Sequence, residues 1–302
     1  MRYLVFLTTI LFSLSSRAQY RIFTGRVIDG QRKGIPFAVV EVKDKHQGVY
    51  CDENGFFSFS GDATFLNTLV VSCMGYERKE INTDILPLSD SLIIELKTKV
   101  ANLKEVSITS KKGIPKQATL GKNRRQLSYT GDCYRYYGSE TAIRLMADTT
   151  QSGGTLNAIY VFITDEGDFN TRFRVHVYRW DTLPKNEITD SNLIVQATEG
   201  NTWVKIDVSK KKIPVGKGLF VSVEWISGFG NTRQSLQSAK NPEVINYNGQ
   251  VLGLTSDYGK PSRTYSRSPF TKKWIYYDAA EAQRKGGYFL NPMIYCTYTY
   301  ID

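Results

Sequence analysis

The residues able to do chemistry are few and scattered. There are two histidines, His46 and His176, and they are far apart in the chain. Neither is followed by the His-x-x-Glu arrangement of a metallocarboxypeptidase, and a zinc site needs more nitrogen or thiolate ligands than these positions offer. No Gly-x-Ser-x-Gly elbow and no Gly-rich phosphate-cradling motif is present. Glu224 is the one carboxylate set in an apolar strand pattern, Val221-Ser222-Val223-Glu224-Trp225-Ile226. Alternation places it on the face opposite Val223 and Trp225. A glycosidase would require a second carboxylate facing it across a sugar bond; a solvent-facing or arginine-paired carboxylate is the plainer expectation. Asp165-Glu166-Gly167-Asp168-Phe169-Asn170 could offer oxygen ligands to calcium, although its spacing is not that of an EF-hand and a plain hairpin loop is expected. Catalytic residues, metal ligands and cofactors are therefore expected to be absent, calcium being the one candidate ion.

The feature that suggests a ligand is aromatic. Residues 226–291 form a long, irregular excursion carrying Phe229, Tyr247, Tyr258, Phe270, Tyr277 and Tyr288, together with a mixed set of Trp274, Tyr276, Tyr265, Arg263 and Arg267. Sugar rings pack apolar C–H faces on Trp and Tyr while arginines bond their hydroxyls, and an aromatic ring supplies large contact area with few rotors to freeze. The alternative is that these aromatics pack over the sandwich as a lid, since pleated surfaces favour them. A short helix is expected at 278–285, with Asp278 as N-cap, Glu281 at N3 and Gly286 beyond its end.

The elements that must position these residues read as β throughout. Phe37, Val39, Glu41 and Lys43 alternate with Ala38, Val40 and Val42 as a strand, Asp52-Glu53-Asn54-Gly55 is a tight-turn cluster, and Phe56, Phe57 and Phe59 and then Leu69-Val70-Val71-Ser72 resume strands. From Ser128 onward strands are expected at 142–146, 156–163, 173–180, 193–197, 203–208, 218–225 and 292–300. Strict alternation in the third puts Phe173, Val175, Val177 and Arg179 on one face, with His176 on the other. Seven or eight strands with Gly/Asn/Asp turns indicate a jelly-roll-like sandwich. The fold class is thus all-β, with two β-sandwich domains: 19–97, and 128–302 including the excursion 226–291.

Four motifs in the first domain carry a family resemblance. They are Gly25-Arg26-Val27-Ile28-Asp29, Gly34-Ile35-Pro36-Phe37-Ala38-Val39-Val40-Glu41-Val42, Asp52-Glu53-Asn54-Gly55-Phe56-Phe57-Ser58-Phe59, and Val71-Ser72-Cys73-Met74-Gly75-Tyr76. In this order they resemble the carboxypeptidase regulatory-like domain, over about a quarter of the chain. The resemblance implies a transthyretin-like, seven-strand β-sandwich without chemistry of its own. Such domains accompany metallocarboxypeptidases and stand at the N-terminus of TonB-dependent outer-membrane transporters. The segment Leu103-Lys104-Glu105-Val106-Ser107-Ile108-Thr109 is similar to the one that follows the domain in those transporters and there often carries the TonB contact; here it is read as a terminal strand. About 170 residues after the linker are too few for a transporter barrel with its plug.

Charge and targeting complete the expectation. Residues 1–18 resemble a signal peptide, with Arg2 ahead of an apolar run and Ser16-Arg17-Ala18 at the cleavage site. Nine Lys/Arg lie between Lys97 and Arg125 against one acid, Glu105. With Arg2 and Arg17 they account for the formal net charge of +10, so the two folded domains are close to neutral. Residues 98–127 are accordingly read as a basic, mobile linker able to touch an anionic membrane surface or lipopolysaccharide, with no nucleic-acid partner. Cys51, Cys73, Cys133 and Cys296 fit an oxidising compartment. A Cys133–Cys296 bridge is one expectation, and strand cysteines packing as small hydrophobes is another for Cys51 and Cys73. The reading is an exported, non-enzymatic protein of the periplasm, outer membrane or cell surface, binding an envelope protein or a glycan. The competing reading is an envelope hydrolase centred on Glu224.

Overall fold

A computed structural model describes residues 20–44, 48–62, 67–83, 91–99, 113–130, 138–151, 153–189, 192–226, 233–236, 244–247, 249–256, 263–268, 273–277 and 289–301. The chain divides into two compact units, residues 1–98 and 99–302.

The first unit contains β1 (Tyr20–Ile28), β2 (Val39–Val42), β3 (Gly48–Tyr50), β4 (Phe56–Asp62), β5 (Thr68–Ser72), β6 (Lys79–Asn82) and β7 (Leu92–Glu95). They form two sheets, β4-β1-β7 and β3-β2-β5-β6. Phe23 and Val27 of β1, Val40 and Val42 of β2, Phe57 of β4, Leu69 and Val71 of β5 and Ile94 of β7 make one core. The turn before β4 forms because the Asp52 carboxylate accepts the N–H groups of Asn54 and Phe56, while Gly55 takes φ of +82°. Gly25 is required for a different reason. A Cβ there would lie 2.4 Å from the Leu92 carbonyl oxygen and 2.8 Å from the Phe57 ring. One local expectation is corrected. Phe37 is not part of the strand that follows it but sits in a turn at φ of +54°, with its ring buried.

The second unit contains β8 (Pro115–Gly121), β9 (Tyr129–Thr130), β10 (Glu140–Met146), β11 (Thr155–Gly167), β12 (Phe173–Arg179), β13 (Leu193–Val195), β14 (Thr202–Asp207), β15 (Gly218–Trp225), β16 (Arg233–Leu236), β17 (Val244–Tyr247), β18 (Gln250–Thr255), β19 (Thr264–Arg267), β20 (Trp274–Tyr276), β21 (Asn291–Pro292) and β22 (Ile294–Ile301). One sheet runs β13-β12-β15-β10-β19-β20; the other runs β21-β18-β11-β22-β8, with β14 beside β11 and β9 beside β18. Ile143, Phe173, Val175, Val177, Val221 and Val223 of the first sheet share one core with Ile159, Val161, Ile163, Ile294, Cys296 and Tyr298 of the second. The protein is all-β, with two sandwiches.

Three expectations change here. Residues 115–121 are not linker: β8 pairs along its whole length with β22, from Pro115 opposite Ile301 to Gly121 opposite Tyr295. The reason is Leu120, fully buried in the core beneath a polar, basic sequence. Nor is 226–291 simply an excursion over the sandwich, because β18 pairs with β11 and β19 pairs with β10. The Cys133–Cys296 bridge is replaced by a free, fully buried Cys296 thiol. Cys133, His46, the helix expected at 278–285 and residues 1–19 lie outside the described residues.

Candidate functional site

Strand register builds the site. On the face of the six-stranded sheet turned away from the shared core, one row of cross-strand neighbours reads Arg174, Glu224, Glu140, Arg267, Trp274. The next row reads His176, Ser222, Ala142, Tyr265, Tyr276. Each strand contributes through period-2 alternation: β12 sends Val175 and Val177 inward and Arg174, His176 and Tyr178 to this face, and β15 does the same with Ser222 and Glu224.

The polar groups on this face are buried and mutually engaged. Arg174 Nη1 donates to Glu224 Oε2 at 3.0 Å, and His176 Nε2 lies 3.0 Å from the same oxygen. His176 Nδ1 is 2.7 Å from Glu187 Oε1, which also accepts Thr189 Oγ1 at 2.9 Å. Glu140, 1% exposed, accepts the Tyr178 hydroxyl at 2.7 Å, the Ser222 hydroxyl and Arg267 Nη2. Burial of His176 disfavours its charged form, but the Glu140 charge and the hydrogen bonds to Glu187 and Glu224 outweigh it and raise the pKa to about 10. At neutral pH an imidazolium therefore joins Arg174 and Arg267 against Glu140, Glu187 and Glu224, so the formal charges cancel. Burial, with the Glu140 and Glu187 charges beside it, pushes the Tyr178 hydroxyl far above its usual range, which keeps it a donor.

Glu224 thus does have a second carboxylate beside it. In a glycosidase the two carboxylates must flank a sugar bond and a water or nucleophile must reach it. Here both are occupied by arginine, hydroxyl and imidazolium donors. The arrangement ties β10, β12, β15 and β19 to one another.

The residues expected to contact a ligand are brought to the β19–β20 edge of this same face. Trp274 is half-buried, its ring set edge-on to Tyr178 at 5.8 Å and beneath the Arg267 guanidinium at 5.1 Å. Tyr276 packs beside Tyr265 at 5.0 Å. Tyr265 itself is only 4% exposed and packs against Phe220; it supports the edge and does not form its surface. Arg267 is committed to Glu140. Arg263 uses its backbone, its N–H donating to Asn291 and its carbonyl accepting Arg144 N–H. Beyond the second row, Trp180 carries the Arg144 guanidinium at 5.6 Å and helps line a half-open cavity of about 260 Å3.

Glu140, Arg174, Tyr178, Glu187 and Ser222 were not singled out by sequence reasoning. A signal existed for Arg174 and Ser222, since they share parity with His176 and Glu224 in otherwise apolar strands. At the proposed calcium loop, β11 runs through Gly167, and the Asp168 carboxylate turns inward to accept Asn170 N–H at 2.9 Å. Among the described residues no three His, Cys, Asp or Glu side chains cluster as metal ligands.

No curated protein matches the chain. Among solved structures, the Bacillus cereus major pilin subunit BcpA aligns over 94% of this chain and 69% of its own, at 12% identity and a TM-score of 0.18. A point variant of that subunit aligns over 85% of this chain at the same identity and TM-score, and the chain spans 66% of that variant's length. Residues 23–108 match the CarboxypepD_reg-like family. With its seven strands in two sheets around a single core, the N-terminal sandwich is a carboxypeptidase regulatory-like domain.

Proposed function

We propose that the protein is an exported, non-enzymatic module that binds or scaffolds at the cell envelope, with carbohydrate as the ligand class at the Trp274 edge. The supporting observation is the interlocked polar face. The buried Arg174, His176, Glu140 and Glu224 are spent on one another, and what they hold rigid is the strand pair carrying Trp274 and Tyr276. A stacking platform gains from this, because a ring fixed in advance loses little freedom on binding. The carboxypeptidase regulatory-like domain and the leader-like residues 1–18 support an exported setting. Among the described residues no helix is long and apolar enough to cross a membrane.

The test is a glycan array with the full chain and with Trp274→Ala. Binding that falls in the variant supports the reading. An array blank for the wild type, together with an envelope pull-down that recovers no partner, removes it. The competing hydrolase is tested by Glu224→Gln: activity on envelope glycans that disappears in this variant, with the fold intact, would favour the enzyme.

A further inference from the structure

The opposite outer face of the second sandwich carries its own aromatic cluster. On the sheet containing β11 and β22, Ile159, Val161, Ile294 and Cys296 point into the core, so Tyr160, Phe162, Tyr295 and Thr297 lie on the outside. Tyr160 and Tyr295 are direct cross-strand partners, stacked with ring centroids 4.4 Å apart and planes 3° from parallel. Trp203 of β14 meets Tyr295 edge-on at 4.8 Å and Phe162 at 5.3 Å. All but Phe162 are half-buried, so a protein ring cluster is left partly open. On the far side of Tyr295 its partner on β8 is Gly121, at φ of +86°, which places no side chain over the ring.

What surrounds these rings sets the partner. Thr119 and Gln117 of β8, and Thr297 and Thr299 of β22, line up beside them, with Asn157 donating to Thr299 at 2.9 Å. These are hydroxyl and amide groups. The charges are mostly positive. Exposed Lys205 lies opposite Tyr160, the Arg125 guanidinium stands over Phe162 at 5.5 Å, and Lys122 follows Gly121. The acid in these rows, Asp207, accepts Ser209 N–H and Oγ. Because β8 is a sheet edge and not linker, the second half of the basic stretch is fixed along this platform.

We propose that this face binds an acidic polysaccharide, sugar rings packing on Tyr295 and Trp203 and carboxylates or other anionic substituents meeting Lys205, Lys122 and Arg125. It is a separate surface from the Trp274 edge, on the other sheet.

The experiment is affinity electrophoresis of the full chain in gels containing soluble polygalacturonate, dextran, or neither, with sedimentation against phosphatidylglycerol vesicles as the lipid arm. Expected results are retardation by polygalacturonate and not by dextran, weakened by salt, with roughly tenfold loss for Trp203→Ala or Tyr295→Ala. The exposed changes Lys205→Gln and Arg125→Gln, which leave the rings in place, should weaken binding and flatten its salt dependence. Melting temperature reports folding of each variant. No retardation of the wild type, unchanged retardation in both ring variants and both charge variants, or capture by vesicles without polygalacturonate binding would each overturn the proposal.

Discussion

Glu140 and Glu224 are direct neighbours across the β10–β15 pair, and both are buried. Like charges placed opposite one another in a sheet repel, and each carboxylate is reconciled to its position by an arginine on its far side, Arg267 for Glu140 and Arg174 for Glu224. The result is a charged row across four strands, Arg174, Glu224, Glu140 and Arg267, in which each charge depends on its neighbour.

Removing one member leaves its partner charged without its counter-ion. Glu140→Ala should destabilise the second sandwich by about 3–5 kcal/mol, the usual cost of breaking a buried pair from one side. Urea denaturation read by tryptophan fluorescence measures it. Adding Arg267→Ala to Glu140→Ala should cost less than the sum of the two single changes, because the second removes the orphaned charge.

His176 gives the sandwich a pH dependence of known sign. Its folded pKa of about 10 stands above the ordinary 6.5, so the stabilisation is fully present below pH 6.5 and is lost as pH rises through 10. Denaturation midpoints measured from pH 6 to pH 10.5 should fall steadily for the wild type. In His176→Gln the curve should start lower and be flatter over that window.

In the first sandwich, Gly25→Ala should cost about 1–3 kcal/mol, since the added methyl meets the Leu92 carbonyl and the Phe57 ring. Amide exchange should quicken in β1 and β7, while the second sandwich keeps its own protection.

Cys51 and Cys296 should resist alkylation in the native state. Burial pushes the Cys51 thiol up to about 12 and Cys296 still higher, and neither side chain reaches solvent. Mass spectrometry after iodoacetamide treatment, with and without guanidinium, should show both modified only on unfolding.

The first sandwich could be read from its residues because its signals are local: the Asp52–Gly55 turn, the glycine at the close approach of β1, and short alternating strands. Much of the second was equally plain, since β12 and β15 alternate cleanly. The charged row was not, because its meaning lies in register. Nothing near Glu140 in the sequence says that residue 224 will lie beside it and residue 267 on its other side. Trp274, Tyr276, Tyr265, Arg263 and Arg267 could be grouped from composition, but the burial of Tyr265 and the commitment of Arg267 to Glu140 depend on strands more than a hundred residues apart. The strand at 115–121 was hidden by composition, as one buried leucine among lysines and polar residues does not outweigh the look of a tether.

That strand decides where the second half of the protein can be cut. A fragment begun at residue 128 would strip β22 of its neighbour from Tyr295 to Ile301, leaving a row of unmet amides and carbonyls along a flat, aromatic border. Such a fragment should pair with itself and precipitate, whereas one begun ahead of residue 113 keeps β22 covered by the short, polar β8 and should stay monodisperse in light scattering.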